Sequence, residues 1–135
     1  MSVEIVSTEG KGNYMVIEYT GEAAIGLQGN LANPEGEDLL ITNSYMYIRT
    51  GSTAAATMNV GPGVSGADNS ELHGAVPLDG AAGTCWMGYH PAVTQDASLA
   101  VLWGAAEFLT FTTAAQSAVA ADIVFYVSYI RLTDA

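Results

Sequence analysis

The sequence reads as an all-β protein, an antiparallel β-sandwich of about eight or nine strands with at most one short helical turn. Three observations carry that reading. Short runs rich in β-branched and aromatic residues recur along the chain, each bounded by Gly, Asn, Pro or Ser. Helical periodicity is weak almost everywhere. The chain has 135 residues, half of them hydrophobic and 13% charged, which is enough to bury one core without disulfides or metal clips. No break in composition marks a second domain. Residues 1–135 therefore read as one sandwich, with 1–10 the candidate for an extended N-terminal arm.

The elements follow in order. "VEIV" is a first short strand, and "NYMVIEYT" a second that sets Tyr14, Val16 and Glu18 against Met15, Ile17 and Tyr19. "EAAIGLQG" alternates loosely, and Gly26 inside it points to a bulge or a close backbone approach. "NPEGED" is turn chemistry ahead of "DLLITNSYMYIRT", a long strand whose two faces are each mixed at the centre. That mixing predicts a bulge near Asn43 and Ser44. "STAAATMNV" reads as a strand of small and β-branched residues with Ala54, Ala56, Met58 and Val60 inward, followed by "GPGVSGADNS" as the connection leaving the sheet. "CWMGYH", "ASLAVLWG" and "AEFLTFTT" are three further strands. The last, "ADIVFYVSYIRLT", places Ile123, Phe125, Val127 and Tyr129 on one face and Val124, Tyr126, Ile130 and Leu132 on the other. Apolar on both sides, it belongs in the middle of a sheet or against a partner subunit. Ala54 to Met58 and Ala114 to Ala121 are the two places where a helical turn would fit.

Charge restricts the function classes. Lys11, Arg49 and Arg131 face fourteen acidic side chains, for a formal net charge of −11. Such a chain repels a phosphate backbone, and three cations release few counterions, so neither nucleic acid nor an anionic membrane is an expected partner. No run approaches the roughly 18–20 apolar residues of a membrane-spanning helix. The start, "MSVEIVSTEGKG", lacks a basic segment followed by an apolar block, which makes synthesis in a cytoplasm the expectation. The acid excess suits an otherwise apolar surface that must stay dispersed. Cys85 is the single cysteine, so no disulfide framework exists, and "GTCWMGYH" suggests a buried small hydrophobe there.

The motifs that carry chemistry are each incomplete. Gly61, Gly63 and Gly66 match G-x-G-x-x-G, but no helix pattern follows, and no lysine stands nearby to cradle a phosphate. Gly63, Val64, Ser65 and Gly66 fall one residue short of a nucleophile elbow, for which His73 or His90 would supply the base and Asp68 or Asp79 the orienting carboxylate. Cys85, His73 and His90 lack zinc spacing. "ADNSE" groups oxygen donors without the spacing of a calcium loop, and a solvated turn explains it. The residues thus indicate no catalytic group, no cofactor and no metal. They suit a packing or binding module.

Two longer blocks carry a resemblance. "ITNSYMYIRTGSTAAATMNVGPGVSGADNSELHGAVPLDGAAGT" and "LWGAAEFLTFTTAAQSAVAADIVFYVSYIRL" together span well over half the chain. They resemble the head decoration (cement) and head-fibre proteins of tailed bacteriophages. The resemblance implies a jelly-roll-like sandwich on the exterior of a capsid, made in the host cytoplasm and assembled as a homotrimer on the major capsid protein. It carries no catalytic motif. Ser2, Val3, Glu4, Ile5 and Val6 are then candidate partner contacts, as a strand added to a neighbour or to the shell, with pairing inside their own sheet as the alternative. Gly63, Val64 and Ser65, in the glycine-rich connection, are the other candidates. Two rivals remain. One is a receptor- or carbohydrate-binding module using Tyr45, Tyr47, Trp86, Tyr89 or Trp103, and the other is a small hydrolase built around Ser65.

Overall fold

A computed structural model describes residues 3–8, 14–87 and 101–132. Ten strands account for its regular structure: β1 (Val3–Thr8), β2 (Tyr14–Thr20), β3 (Gly26–Ala32), β4 (Leu39–Thr50), β5 (Thr57–Gly63), β6 (His73–Pro77), β7 (Cys85–Met87), β8 (Val101–Trp103), β9 (Phe108–Ala114) and β10 (Asp122–Arg131). One sheet runs β1-β2-β10-β4-β7, with β8 sharing the β4 edge beside β7; the other runs β3-β9-β5-β6. Every pairing is antiparallel. The chain passes from sheet to sheet so that β2-β10-β4-β7 faces β3-β9-β5-β6. This is the eight-strand, double Greek-key order of a jelly roll, with β1 added at one edge.

Alternation builds the core. Met15, Ile17 and Tyr19 of β2, Met46 and Ile48 of β4 and Ile123, Phe125, Val127 and Tyr129 of β10 point inward from the first sheet. Met58, Val60, Val76, Leu109 and Phe111 meet them from the second. Phe111 and Phe125 pack edge to face across the sandwich with ring centroids 5.3 Å apart, a favoured aromatic geometry. Tyr19 also ties the layers together, its hydroxyl donating to Gln28 Oε1 at 3.1 Å.

The mixed faces of the long strand have the expected cause. β4 and β10 pair Ser128 with Asn43 and Tyr129 with Ile41, leaving Thr42 as the extra residue. The bulge lets Leu39 and Ile41 point inward before it, and Ser44, Met46 and Ile48 after it. The loosely alternating third run starts later than the sequence suggested. β3 begins at Gly26, whose φ of +110° suits glycine, and its register shifts at Gln28.

Two expectations are corrected. Among the described residues the strands number ten, not eight or nine, because "HGAVP" forms β6, which its glycine and proline concealed. Neither alanine-rich stretch is helical, within the expected limit of one short turn: Ala115 and Ala120 sit at φ +68° and +71°, which a right-handed helix does not accommodate, and β5 begins at Thr57. "GPG" belongs to β5 itself and not to the connection after it.

Candidate interaction surface

The outward positions of the first sheet form a broad apolar face. Strand register aligns Val16, Tyr126, Tyr45 and Met87 across β2, β10, β4 and β7. A second row is Glu18, Val124, Tyr47 and Cys85, and a third is Ile130, Leu40 and Leu102. Met87 and Leu102 are 56% and 55% exposed, and Tyr47 and Ile130 are also exposed. Tyr126 stands between Tyr14 and Tyr45, with ring centroids 5.5 and 6.0 Å away. Between the rows the polar atoms satisfy one another: Thr42 Oγ1 and Ser128 Oγ are 2.8 Å apart, and Asn43 Nδ2 donates to Tyr45 Oη at 2.9 Å. An antiparallel sheet with one solvated face ordinarily alternates apolar-in with polar-out. Here both directions are apolar. The rows extend roughly 20 Å along the strands and roughly 15 Å across them, on the order of 300 Å², the size at which the largest patch of a monomer is often functional.

Charge borders this face at the Asp122 end of β10. At the Asp122 end, Arg49 donates to Asp122 Oδ1 from Nη2 at 2.6 Å and from Nε at 3.1 Å, and it also pairs with Glu18. The hydrogen bonds to Glu18 and then Asp122 raise the Arg49 pKa further above its ordinary value. Glu4 occupies the register position opposite Glu18. At the other end Arg131 shares the inward side of the strand with Tyr129, opposite Leu39, and lies 3.6 Å from Glu35 and 3.9 Å from Glu37. Asp38, next to these, receives a hydrogen bond from the Ala105 amide at 3.0 Å. Tyr129 donates to Glu35 Oε2 at 3.0 Å; burial, then that carboxylate, pushes its pKa well up.

The outer face of the second sheet is polar and lies under the chain's own loop. Residues 64–72 leave β5 and fold back across β9 and β5. Asn30 Nδ2 donates to Ser65 Oγ at 2.7 Å, Asn59 Nδ2 to Asp68 Oδ1 at 2.9 Å and Asn69 Nδ2 to Thr110 Oγ1 at 3.0 Å. The glycines make room. A Cβ on Gly61 would sit 2.8 Å from the Glu71 amide nitrogen, and one on Gly63 would strike the Asn69 side chain. The glycine-rich stretch is therefore a seat for its own loop, since only residues without a side chain let a second backbone approach so closely.

The sequence-predicted contacts are scattered by this geometry. Ser2 lies outside the described residues. Val3 is buried against Gly29 of the opposite sheet. Glu4 and Ile5 pair with Glu18 and Ile17 of β2, and Val6 is the extra residue of a bulge in β1. The N-terminal segment thus pairs inside its own sheet, the alternative weighed above. Gly63 is buried beneath Asn69, whereas Val64 is 75% exposed and Ser65 is exposed while bonded to Asn30.

The residues weighed for chemistry are not assembled. His73 is fully buried in the core, its Nε2 3.1 Å from Ser44 Oγ and its ring edge-on to Phe125 at 5.4 Å. Ser65 is on the outside of the second sheet with Asn30. Asp68 and Asn69 are engaged by Asn59 and Thr110, and among the described residues no group of three or more His, Cys, Asp and Glu gathers to hold a metal ion. Cys85 is exposed, contrary to the expected burial, because it occupies an outward position opposite Tyr47. Of the aromatics considered for sugars, Trp103 is fully buried with Nε1 donating to Glu107 O at 3.0 Å. Trp86 is half-buried against the core. Tyr89 and His90 lie outside the described residues. The apolar face itself had one signal in the sequence, a final strand apolar on both sides. No protein-family model, no curated protein and no solved structure matches the chain.

Proposed function

We propose that the protein is a non-enzymatic virion structural protein, a decoration protein that seats the outer face of β2, β10, β4 and β7 on the outside of a bacteriophage head and stabilises it. The observation that carries the reading is the apolar outer face, made largely by β4 and β10, across which none of the described loops is hydrogen-bonded. These strands come from the two blocks that resemble phage decoration proteins. A jelly roll with a shared core between its sheets is a rigid platform for such a face, and exposed tyrosines and methionine are residue types enriched at interfaces. The net charge of −11 keeps densely displayed copies apart from one another and from the packaged nucleic acid. Stabilisation works by mass action: a protein that binds the assembled shell and not its dissociated subunits shifts the balance toward the shell. A homotrimer on the major capsid protein is the expected assembly.

The test adds purified protein to undecorated heads and measures their rupture temperature. Binding with a higher rupture temperature supports the reading, and heads that bind nothing, or rupture unchanged, refute it. A second reading is favoured by the Tyr14–Tyr126–Tyr45 row, whose ring spacing suits stacking on sugar rings. A glycan array in which binding is lost in Tyr126→Ala would replace the first reading with that of a carbohydrate-binding fibre or baseplate module.

A further inference from the structure

The bend that joins β6 to β7, residues 78–84, is tied down at both ends and free in the middle. The Leu78 amide donates to Ala56 O and Leu78 O accepts from the Ser52 amide, each at 2.9 Å. The Gly83 amide donates to Ile48 O at 2.7 Å, and the Ile48 amide to Thr84 O at 2.8 Å. Between these anchors Asp79 is exposed. Neither its carboxyl group nor the Gly80 amide has a hydrogen-bond partner among the described residues. Every other described asparagine and aspartate is held by its side chain. Asn30, Asn33, Asn43, Asn59 and Asn69 donate through Nδ2 to Ser65, Glu37, Tyr45, Asp68 and Thr110. Asp38 accepts from Ala105, Asp68 from Asn59 and Asp122 from Arg49. Of these described residues Asp79 alone precedes a glycine, whose missing side chain leaves the amide nitrogen open to approach.

We propose that Asp79–Gly80 is a site of spontaneous covalent modification, the fastest among the described residues, at which aspartate closes to a succinimide and reopens as isoaspartate. The Gly80 amide nitrogen attacks the Asp79 carboxyl carbon, Cγ. A new N–Cγ bond forms, the Cγ–OH bond breaks, and the hydroxyl leaves with the amide hydrogen as one water. Water then adds back to the ring. Opening at Cγ restores aspartate, whereas opening at the α-carbonyl leaves the chain running through Cγ. Mass and charge return to their starting values, and no oxidant or cofactor takes part. The product has one more backbone carbon between Leu78 and Gly80, and the bend has no room for it. A Cβ on Gly51 would lie 2.3 Å from Gly80 O and 3.2 Å from the Asp79 carbonyl carbon. The Gly51 backbone is therefore packed directly against the pair, while the bonds at Leu78 and Gly83 fix both flanks. The added carbon loosens the bonds of Leu78 to Ser52 and Ala56. None of this depends on the decoration reading.

Ageing the full chain for weeks at 37 °C and pH 6, followed by peptide mapping, tests the proposal. Isoaspartate has the mass of aspartate, so it is read by a shifted elution and by methyl transfer from S-adenosylmethionine with an isoaspartate-specific methyltransferase. In the folded protein the peptide containing Asp79 should be modified, while those containing Asn43 and Asn69, each followed by serine, stay unchanged. In guanidinium-unfolded protein, where the bonds to Tyr45 and Thr110 are lost, both asparagines should deamidate as well. Gly80→Ala should slow the modification about tenfold by shielding the amide. Its Cβ would sit 3.5 Å from Thr84 Oγ1 and 3.6 Å from Ile48 Cδ1, ordinary contacts that let the variant fold. Asp79→Glu keeps the charge but needs a six-membered ring, and should abolish the modification. The isolated isoaspartate form should unfold at a lower urea concentration than fresh protein. An Asp79 peptide that stays unmodified overturns the proposal, and so does Asn43 or Asn69 reacting as fast as Asp79 in the folded chain. A Gly80→Ala chain that ages at the wild-type rate overturns it too, and an isoaspartate form as stable as fresh protein overturns its effect on the bend.

Discussion

The two sheets of this sandwich share one core and treat their outer faces in opposite ways. The β3-β9-β5-β6 sheet presents Asn30, Asn59 and Thr110 outward, and these hold residues 64–72 down as a lid of the chain's own making. The β2-β10-β4-β7 sheet presents Val16, Tyr126, Tyr45, Tyr47 and Met87, and none of the described loops is hydrogen-bonded across them. A polar outer face is satisfied within the monomer, through hydrogen bonds to its own loop. An apolar outer face has only partner surface to satisfy it. On the proposed reading, the difference separates the face that folds the protein from the face that would meet other molecules.

The contrast makes predictions of descending size. Gly61→Val drives a branched side chain into the Glu71 backbone under the lid and should cost about 2–3 kcal/mol of stability by urea unfolding. Val124→Ala, at an outward position of the uncovered sheet, should cost less than about 1 kcal/mol. Parity between the two would remove the distinction. The link between the sheets should fail at high pH. Burial, then Glu22, pushes the Tyr19 hydroxyl up to about 12, whereas in the unfolded chain it ionises near 10. The unfolded state therefore loses its proton first. The stability contribution is complete below pH about 10, falls as pH rises, and has gone above pH about 12, a loss of about 2–3 kcal/mol. Unfolding midpoints measured from pH 9 to 12 should show this alkaline decline, shallower in Tyr19→Phe. Asn69→Ala removes the bond to Thr110 and should cost about 1 kcal/mol, with faster amide exchange confined to residues 64–72. Smallest of all, Met87→Ser with Leu102→Ser should change stability by no more than about 0.5 kcal/mol while lowering the binding of a hydrophobic dye.

Much of the fold was legible in the sequence, because strands announce themselves by alternation. β2 and β10 have their inward and outward residues where the period of two places them, and the mixed centre of β4 foretold its bulge. The elements that escaped are those that depart from the period. β6 carries a glycine and a proline in five residues. β5 continues through Gly61, Pro62 and Gly63, where the glycines answer to a loop folded over them and not to a turn. That requirement is tertiary and leaves no local signature. The exposure of Cys85 was missed for a related reason: its neighbours are apolar, yet it stands on the outward side of β7. The candidate contacts chosen at Ser2 to Val6 and Gly63 to Ser65 relied on chain position. Register and cover bury Val3 and Gly63 within the monomer. The apolar row across four strands requires knowing which strands are neighbours, and sequence order does not reveal that β10 lies between β2 and β4.

Hydroxyl-radical footprinting of the protein, free and bound to undecorated heads, tests the central claim most directly. If the uncovered sheet is the docking face, Met87, Tyr47 and Tyr126 are oxidised in the free protein and protected on the heads, while Leu27 and Val64 on the opposite side stay equally reactive in both. Protection of Leu27 and Val64 with Met87 and Tyr47 still reactive would contradict the claim and move the docking face to the lidded sheet.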